Sequence, residues 1–414
     1  MPSHPLPRSI LNLSWSNLAA QSAEQLSLAA APLVAVLSLA AGTAQIGILT
    51  ALQTLPFLLL SMPLGVLADR LPGRRLMVWS EGLRLLALLA TFALLLSSGL
   101  TIAGLAALGF IGAVGTVGFS VTAPALVLSL APRQALGRAN ARLELARSMA
   151  FAAGPAVAGV LVSWVGASAA YALGTALSAT AMYFLLQRAA PGSAAPHAPR
   201  RRARRQHALR DVAEGAAFVW RDALLRPIMI TGVIFNIAWF VLQVVYVPYA
   251  VHALGLNAGE VGGTMALYGV GMCIGALLTP RILARLPLGR AIQIGPVCGA
   301  LGAASLATTL LIPSVWLAGL CFFLLGAGPI VWTIATTTLR QNVTPDALLG
   351  RVSALFLTVN TGARPIGAAL GGLIGAHWGE PACLMIALAG FAVQALVITC
   401  SGAAALRQMP VSAA

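Results

Sequence analysis

Lysine is absent from this chain of 414 residues, and charged residues of all kinds make up only 8% of it. The five cysteines lack metal-ligand spacing, and the sequence contains neither an ATP-binding loop nor a Ser/His/Asp constellation. These absences argue against a structural metal site, an ATP-driven pump and a hydrolytic enzyme. We therefore expect no cofactor, no metal and no enzymatic activity.

Apolar sequence dominates instead: 59% of the residues are hydrophobic, and the mean hydropathy is +0.90. About 20 apolar residues cross a bilayer as a helix, and lipid cannot satisfy the polar groups of an irregular backbone. Division at charged and Gly/Pro-rich breaks therefore predicts an all-α polytopic membrane protein with twelve transmembrane helices. They lie at 13–38, 44–67, 76–97, 101–128, 142–164, 168–187, 226–251, 260–284, 289–311, 315–338, 350–376 and 381–403.

Arginine supplies all 25 basic residues other than histidine, and in the short breaks between predicted helices it follows a pattern. It occurs in breaks after even-numbered helices and is missing from those after odd-numbered helices, where Glu260 and Glu380 lie. By the positive-inside rule, the even-numbered breaks and both termini are cytoplasmic. The net charge of +15 follows from this topology, and the predicted location is the bacterial cytoplasmic (inner) membrane.

A polar linker at 188–225 separates two sets of six helices, predicted as bundles at 1–187 and 226–414. It contains the run RRRARR at 200–205, which could suggest nucleic-acid binding, but no aromatic platform for bases accompanies it. We interpret the run as an anchor near anionic lipid and expect no nucleic-acid partner. Residues 207–222 are predicted to form a short amphipathic surface helix.

The two halves of the chain repeat each other. LAPRQALGRANA, at 130–141, aligns with VTPDALLGRVSA, at 343–354, with an offset of 213. The same offset pairs three further glycines, Gly154 with Gly367, Gly159 with Gly372 and Gly166 with Gly379. Six plus six helices related by duplication imply two bundles around a central cavity, an arrangement suited to alternating access.

The loop after the second predicted helix reads GVLADRLPGRR, at 65–75, and its degraded copy at 283–290 has lost the aspartate. It resembles the G-x-L-A-D-R-x-G-R-[KR] signature of the major facilitator superfamily, and the resemblance covers all twelve helices. It implies the major facilitator fold and a gating role for the loop, with Asp69 engaging the start of the helix near Arg351. The alternative is that these charges only fix topology. The gating motif comprises Gly65, Asp69, Arg70, Gly73, Arg74 and Arg75.

The fifth predicted helix carries AAGPAVAG, at 152–159, which resembles the antiporter signature that exporters of this superfamily have on the same helix. Gly154, Pro155 and Gly159 match, whereas alanines replace two further glycines. Alanine still allows close helix packing, and Pro155 is expected to bend the helix. Ordinary small-residue packing is the alternative. The surrounding sequence is similar to the exporter branch that contains the enterobactin exporter and macrolide-efflux proteins.

Polar residues at membrane depth are candidates for a substrate or proton pathway, because charge in lipid costs several kcal/mol. On the first helix Asn17, Gln21 and Glu24 share one face. Glu24 either carries a coupling proton or sits as a solvated acid near the cytoplasmic end. On the seventh, one face suits a large, partly apolar ligand or an interhelical hydrogen-bond seam. That face comprises Asn236, Trp239, Gln243 and Tyr246.

Three further charges complete this pathway. Glu144 and Arg147 stand three residues apart and could pair, and Arg364 lies beside Asn360 on the eleventh helix. The two deep guanidiniums would suit an anionic or catecholate-like substrate, or they pair structurally with Glu24 or Glu144. A second Glu/Arg pair, at 81 and 84, is expected to partner the loop motif.

Together these features predict an exporter that moves a small organic molecule, drug or siderophore-like, outward in exchange for protons. An importer of the same fold, a lipid scramblase and a transport-dead sensor are the alternatives. The expected partners are the small-molecule substrate, protons and membrane lipid, and the protein is expected to be a monomer.

Overall fold

The computed structural model describes residues 8–130, 136–187 and 208–407, and all regular structure within these ranges is helical. It consists of twelve α-helices and a short 3-10 helix, Gly402–Ala405. The α-helices are α1 (Arg8–Leu39), α2 (Thr43–Arg70), α3 (Gly73–Leu96), α4 (Ile102–Leu130), α5 (Leu136–Trp164), α6 (Ala167–Leu186), α7 (Ala208–Arg221), α8 (Leu225–His252), α9 (Ala258–Arg285), α10 (Leu288–Thr308), α11 (Val315–Val343) and α12 (Asp346–Thr399).

Eleven helices of the described ranges are long and apolar enough to cross a membrane. The last of these stretches, Arg351–Thr399, is 49 residues long, which is enough for two spans. Gly379 interrupts it with a non-helical backbone, so α12 contains the eleventh and twelfth predicted spans. The prediction of an all-α protein with twelve spans is therefore confirmed, and α7 is the additional helix of the linker.

The aligned glycines Gly166 and Gly379 have the same unusual backbone. Gly166 has φ 107° and ψ 169°, and Gly379 has φ 80° and ψ 176°. A positive φ is open to glycine because it has no Cβ. Each glycine ends one helical segment and is followed directly by the next. The duplication seen in the sequence therefore reappears as the same interruption between two helical segments in each half.

The helices form two compact units. Unit 1 comprises the described residues within 1–41, 52–202 and 257–262, and unit 2 those within 42–51, 203–256 and 263–414. The first turns of α2 thus belong to unit 2, and the first turn of α9 belongs to unit 1. The domain boundaries predicted from the sequence stay a prediction. The units differ from them at these two helix ends.

Each unit has its own apolar interior. In unit 1, α1 packs against α5 and α6, and α3 packs against α4 and α6. In unit 2, α8 packs along α12, and α10 packs between α11 and α12. The linker helix α7 joins this second interior through Val219, which is fully buried, and through an ion pair of 2.7 Å between Glu214 and Arg351. A short helix is therefore present where the sequence predicted one.

Candidate transport site

The loop motif lies at the junction of α2 and α3. α2 ends at Arg70 and α3 begins at Gly73, while the side chains of Asp69 and Arg70 lie outside the described residues. Both motif glycines face α4. A Cβ at Gly73 would lie 3.3 Å from Cγ2 of Thr122, and one at Gly65 would lie 3.7 Å from a methyl group of that helix. Gly73 is therefore tight against α4, whereas a methyl group at Gly65 would lie at an ordinary contact distance.

Arg74 has a role that the sequence did not indicate. Its guanidinium donates hydrogen bonds to the carbonyl oxygens of Leu185, at 2.6 Å, and Gln187, at 2.5 Å. Carbonyl groups at the end of a helix have no partner within the helix, and a cation there also complements the helix dipole. Arg74 thus caps the C-terminal end of α6, whereas Arg75 is exposed.

Glu81 and Arg84 form an ion pair in the interior of unit 1. The distance from Nη1 of Arg84 to Oε2 of Glu81 is 3.0 Å, and the two side chains are 4% and 0% exposed. Glu81 also accepts a hydrogen bond from Ser178 at 2.5 Å, while Arg84 donates to the carbonyl of Ala20 at 3.0 Å and to Thr116 at 3.1 Å. Among the described residues, the pair therefore joins α3 to α1, α4 and α6 rather than to the loop motif.

The antiporter-like motif marks two close helix crossings in unit 1. A Cβ at Gly154 would lie 2.6 Å from Cβ of Gln25 on α1. One turn later, a Cβ at Gly159 would lie 2.4 Å from the carbonyl oxygen of Ala258 and 2.8 Å from Cα of Gly262, both on α9. Such distances leave no room for a side chain, so both glycines are required by packing. The motif therefore holds α5 against α1 and against the first turn of α9.

The second half of the chain repeats these crossings in unit 2. A Cβ at Gly367 would lie 2.5 Å from the carbonyl oxygen of Ile237 on α8, and one at Gly372 would lie 2.8 Å from Cα of Gly47 on α2. These are the glycines that the offset of 213 pairs with Gly154 and Gly159. The duplication therefore extends from the sequence to the contacts between helices.

Of the polar face predicted on the first helix, Asn17 is the residue whose contact with α5 the structure describes. Asn17 is buried and donates a hydrogen bond to the carbonyl of Leu143 on α5 at 3.2 Å. Gln21 and Glu24 are partly buried on α1. On α5, the guanidinium of Arg147 lies 5.7 Å from the centre of the Phe151 ring, a cation–π arrangement. The predicted pairing with Glu144 cannot be placed, because that side chain lies outside the described residues.

In unit 2 the structure brings together two predicted residues from different helices. Nε of Arg364 on α12 donates to Oδ1 of Asn236 on α8 at 3.3 Å, and the Asn236 amide donates to the carbonyl of Gly232 at 2.9 Å. The same guanidinium lies 5.9 Å from the centre of the Phe240 ring. Asn360 lies one turn before Arg364, and its Oδ1 is buried without a hydrogen-bond partner among the described residues. This polar group therefore combines a cation with amide donors and acceptors.

An aromatic cluster adjoins this polar group. Trp239 stacks on Tyr268 of α9 with centroids 4.9 Å apart and on Phe235 at 6.4 Å, and its edge meets Phe322 of α11 at 6.0 Å. Trp239, Tyr268 and Phe235 are all partly exposed. The spacing on α8 could not indicate Tyr268 or Phe322, because both belong to other helices. We call Phe235, Trp239 and Tyr268 the aromatic stack.

Tyr246 does not share the exposure of this stack. Its side chain is 1% exposed, its hydroxyl is hydrogen-bonded to Thr264, and its ring meets Phe322 edge-on at 4.5 Å. For this residue the structure favours the interhelical hydrogen-bond seam. Gln243, between the two levels, is partly buried.

These helices and polar groups define a polytopic membrane protein of the transporter class. The family model of the Major Facilitator Superfamily matches residues 13–368, and the chain belongs to that superfamily. It is a superfamily of transporters rather than of enzymes.

Curated relatives include an uncharacterized MFS-type transporter, y4rN, of Sinorhizobium fredii. It is 32% identical over 268 residues, which cover 64% of this chain and 62% of the length of y4rN. The enterobactin exporter EntS of Citrobacter koseri is 27% identical over 81% of this chain and 77% of its own. EntS of Escherichia coli is 29% identical over 75% of this chain and 72% of its own length.

Solved structures share the fold at low identity. The nucleoside transporter NupG has a TM-score of 0.70 and 15% identity, with coverage of 94% of this chain and 98% of its own. A bacterial homologue of the iron transporter ferroportin, in its inward-facing state, has a TM-score of 0.71 and 18% identity. The match covers 95% of this chain and 98% of that homologue. A D-xylose-proton symporter has a TM-score of 0.69 and 16% identity, and the match covers 94% of this chain and 96% of the symporter. The fold is thus common to transporters of different substrates.

Proposed function

We propose that this transporter exports a small organic molecule across the bacterial cytoplasmic membrane in exchange for protons. The fold alone leaves the direction open, since a proton symporter shares it. Export is supported by the resemblance of AAGPAVAG, at 152–159, to the antiporter signature and by similarity to enterobactin exporters at 27–29% identity. By the positive-inside rule, the distribution of arginine favours a cytoplasmic position for both termini and the loop motif.

The observation that carries the substrate proposal is the aromatic stack beside the Arg364–Asn236 pair. Asn236 and Trp239 are three residues apart on α8 and therefore project from neighbouring positions on one side of the helix. A flat ring bound against Trp239 would gain stacking and apolar contact, while an anionic or acceptor group on the same molecule would reach the guanidinium. The proposed substrate is accordingly an aromatic organic anion, and a catecholate siderophore is one molecule of this kind.

The coupling proton is assigned to α1 in unit 1. Glu24 is the one acid of α1, and its helix lies against α5, which carries Arg147. A carboxylate in such partly buried surroundings can exchange a proton when a neighbouring cation is repositioned. Gln21, one turn earlier on the same face of α1, is the polar side chain that accompanies Glu24 in the proposed proton pathway.

Substitution of Trp239 tests the substrate site. Labelled enterobactin and a labelled apolar drug would each be followed in everted membrane vesicles with an imposed proton gradient. We expect Trp239→Ala to lower transport of the aromatic anion at least tenfold, and Arg364→Gln to affect the anion far more than an uncharged drug. Trp316→Ala is the matched control, because Trp316 is 84% exposed at the start of α11. Equal transport by Trp239→Ala and Trp316→Ala would contradict the assignment.

A further inference from the structure

Three helix ends meet at one carboxylate in unit 2. Glu380 follows Gly379, where α12 is interrupted between its two spans. Its Oε1 lies 3.8 Å from Nδ1 of His252, the last residue of α8, and the hydroxyl of Thr43, the first residue of α2, is close enough to lower the pKa of the carboxyl. We call Thr43, His252 and Glu380 the end cluster.

The end cluster lies next to a close contact between α2 and α12. A Cβ at Gly375 would lie 2.3 Å from Cγ2 of Thr43, and one at Gly372 would lie 2.8 Å from Cα of Gly47. The two backbones therefore meet at Gly372, eight residues before the carboxylate. Because packed helices shift as rigid elements, a change in the contacts of Glu380 would be felt directly at this crossing.

The surroundings of Glu380 favour its neutral form more than water does. The side chain is 21% exposed, and its burial raises the pKa of the carboxyl, although His252 and the hydroxyl of Thr43 act in the opposite direction. The titratable groups that face it are His252 from α8 and the thiol of Cys383 on its own helix, while α2 presents the uncharged Thr43. His377, one turn earlier, is exposed and bonded to the carbonyl of Leu373 at 2.9 Å.

Glu260 provides an internal comparison. The arginine distribution assigns both Glu260 and Glu380 to the outer side of the membrane. Glu260 is exposed, and it forms a reciprocal cap with Asn257 at the start of α9, with hydrogen bonds of 2.9 and 3.0 Å. It therefore contacts its own helix end, whereas Glu380 contacts two others.

We propose that Glu380 is a proton-accepting latch on the outer face of the transporter. As a carboxylate it holds the ends of α2 and α8 at the break in α12, and on taking a proton from the outer solution it loses its charge attraction to His252 and holds these ends less tightly. The orientation and the use of protons rest on the proposed function. In a proton-driven exporter the outer solution is the proton source, so this carboxylate is placed to receive protons before the membrane interior does.

The sign of the pH dependence follows from the two partners. As the pH falls through the pKa of Glu380, the carboxylate becomes neutral and its attraction to His252 is lost. Since burial raises that pKa, the loss occurs at a higher pH than for an ordinary glutamate, near 4.3. Removal of the His252 charge would move the transition to still higher pH, because an opposite charge favours the ionised form.

Infrared difference spectroscopy measures this protonation directly. The purified protein in lipid would be titrated towards acid, with Glu380→Gln as the variant and Glu260→Gln as the control. We expect a protonated-carboxyl band that appears on acidification at a pH above the usual titration range of glutamate. The band should be absent in Glu380→Gln and present in Glu260→Gln. In His252→Gln it should appear at a still higher pH. A band that survives in Glu380→Gln would overturn the proposal. If Glu380→Gln does not fold, His252→Gln provides the test: a band that appears at the same pH as in the wild type would overturn the proposal.

Transport at varied outer pH tests the consequence. In proteoliposomes with fixed pH on the cytoplasmic side, Glu380→Gln should flatten the dependence of transport on outer pH, and Glu260→Gln should retain it. Identical pH profiles for Glu380→Gln and wild type would overturn the latch. If the wild-type protein transports without any use of the proton gradient, the proposed coupling fails. Loss of the infrared band in Glu380→Gln would still support a latch that responds to outer pH.

Discussion

The buried Glu81–Arg84 pair makes the sharpest prediction about stability. Both side chains are almost completely buried in unit 1, and their charged atoms are 3.0 Å apart. The substitution Glu81→Gln removes one charge and keeps an oxygen that can accept the hydrogen bond from Ser178. Arg84 would then be a buried cation whose partners are the carbonyl of Ala20 and the hydroxyl of Thr116.

The magnitude follows from distance and burial. Two unit charges 3.0 Å apart attract each other by about 5 kcal/mol at an effective dielectric constant near 20. Measured losses on breaking a buried pair are about 3–5 kcal/mol, because the remaining charge is left without compensation. We therefore expect Glu81→Gln to lower the free energy of unfolding by about 3 kcal/mol or more.

A second ion pair is the matched control. Glu214 and Arg351 are closer, at 2.7 Å, but their side chains are 45% and 37% exposed. Water screens such a pair, and exposed pairs contribute about 1 kcal/mol or less. Glu214→Gln should accordingly cost far less than Glu81→Gln, although its pair has the shorter distance.

Chemical unfolding in mixed micelles, followed by tryptophan fluorescence, would compare the two variants. The double variant Glu81→Gln with Arg84→Met should be more stable than Glu81→Gln alone, because it removes the uncompensated buried cation. Equal losses for Glu81→Gln and Glu214→Gln would refute the reasoning that burial determines the cost. A double variant less stable than either single one would show that the pair contributes through packing rather than charge.

Three further predictions concern packing, gating and coupling. Gly262→Ala should destabilise the protein by about 1–3 kcal/mol, since its Cβ would lie 2.4 Å from a carbonyl oxygen of α5. Gly263→Ala should be nearly neutral because nothing lies within 4 Å, and thermal stability compares the two. Asp69→Asn should weaken cytoplasmic closure, measured by labelling of cytoplasmic-side cysteines, more than any single change at 281–290; comparable defects would count against the assignment. Glu24→Gln should uncouple transport from the proton gradient in vesicles, and fully gradient-dependent transport would exclude Glu24 as the carrier.

The fold could be predicted because its determinants are local. The length and hydropathy of a segment decide whether it spans a bilayer, whatever it packs against, so the twelve spans follow from the sequence. The repeat was also visible, since close helix contacts require glycine at fixed positions. Gly159 and Gly372 confirm this, because each faces a glycine of another helix.

Partners across helices could not be predicted in the same way. Periodicity on one helix shows which residues share a face but not which helix that face meets. The bonds from Arg74 to the end of α6 could not be read from the loop motif, and its predicted role in a gate stays a prediction. Tyr268 carries no signal because its partner Trp239 lies on another helix. Tyr246 shares a face with Asn236, yet ten residues along a helix amount to about 15 Å, so it lies at a different depth. There it meets Thr264.

The end cluster is the point at which the duplicated halves differ in chemistry. The offset of 213 places Ala167 opposite Glu380, and the offset of 215 that relates the loop motifs places Ala258 opposite Thr43. The glycine crossings are therefore repeated, whereas the pairing of a carboxylate with a hydroxyl, Glu380 with Thr43, has no counterpart at the aligned positions Ala167 and Ala258. Two identical crossings would respond alike to a change in pH. Glu260 lies beside the α5–α9 crossing, held by Gly159 and Gly262, but it bonds to Asn257 at the start of its own helix. On the proposal above, protonation of Glu380 would therefore act on the α2–α12 contact and leave the α5–α9 contact unchanged.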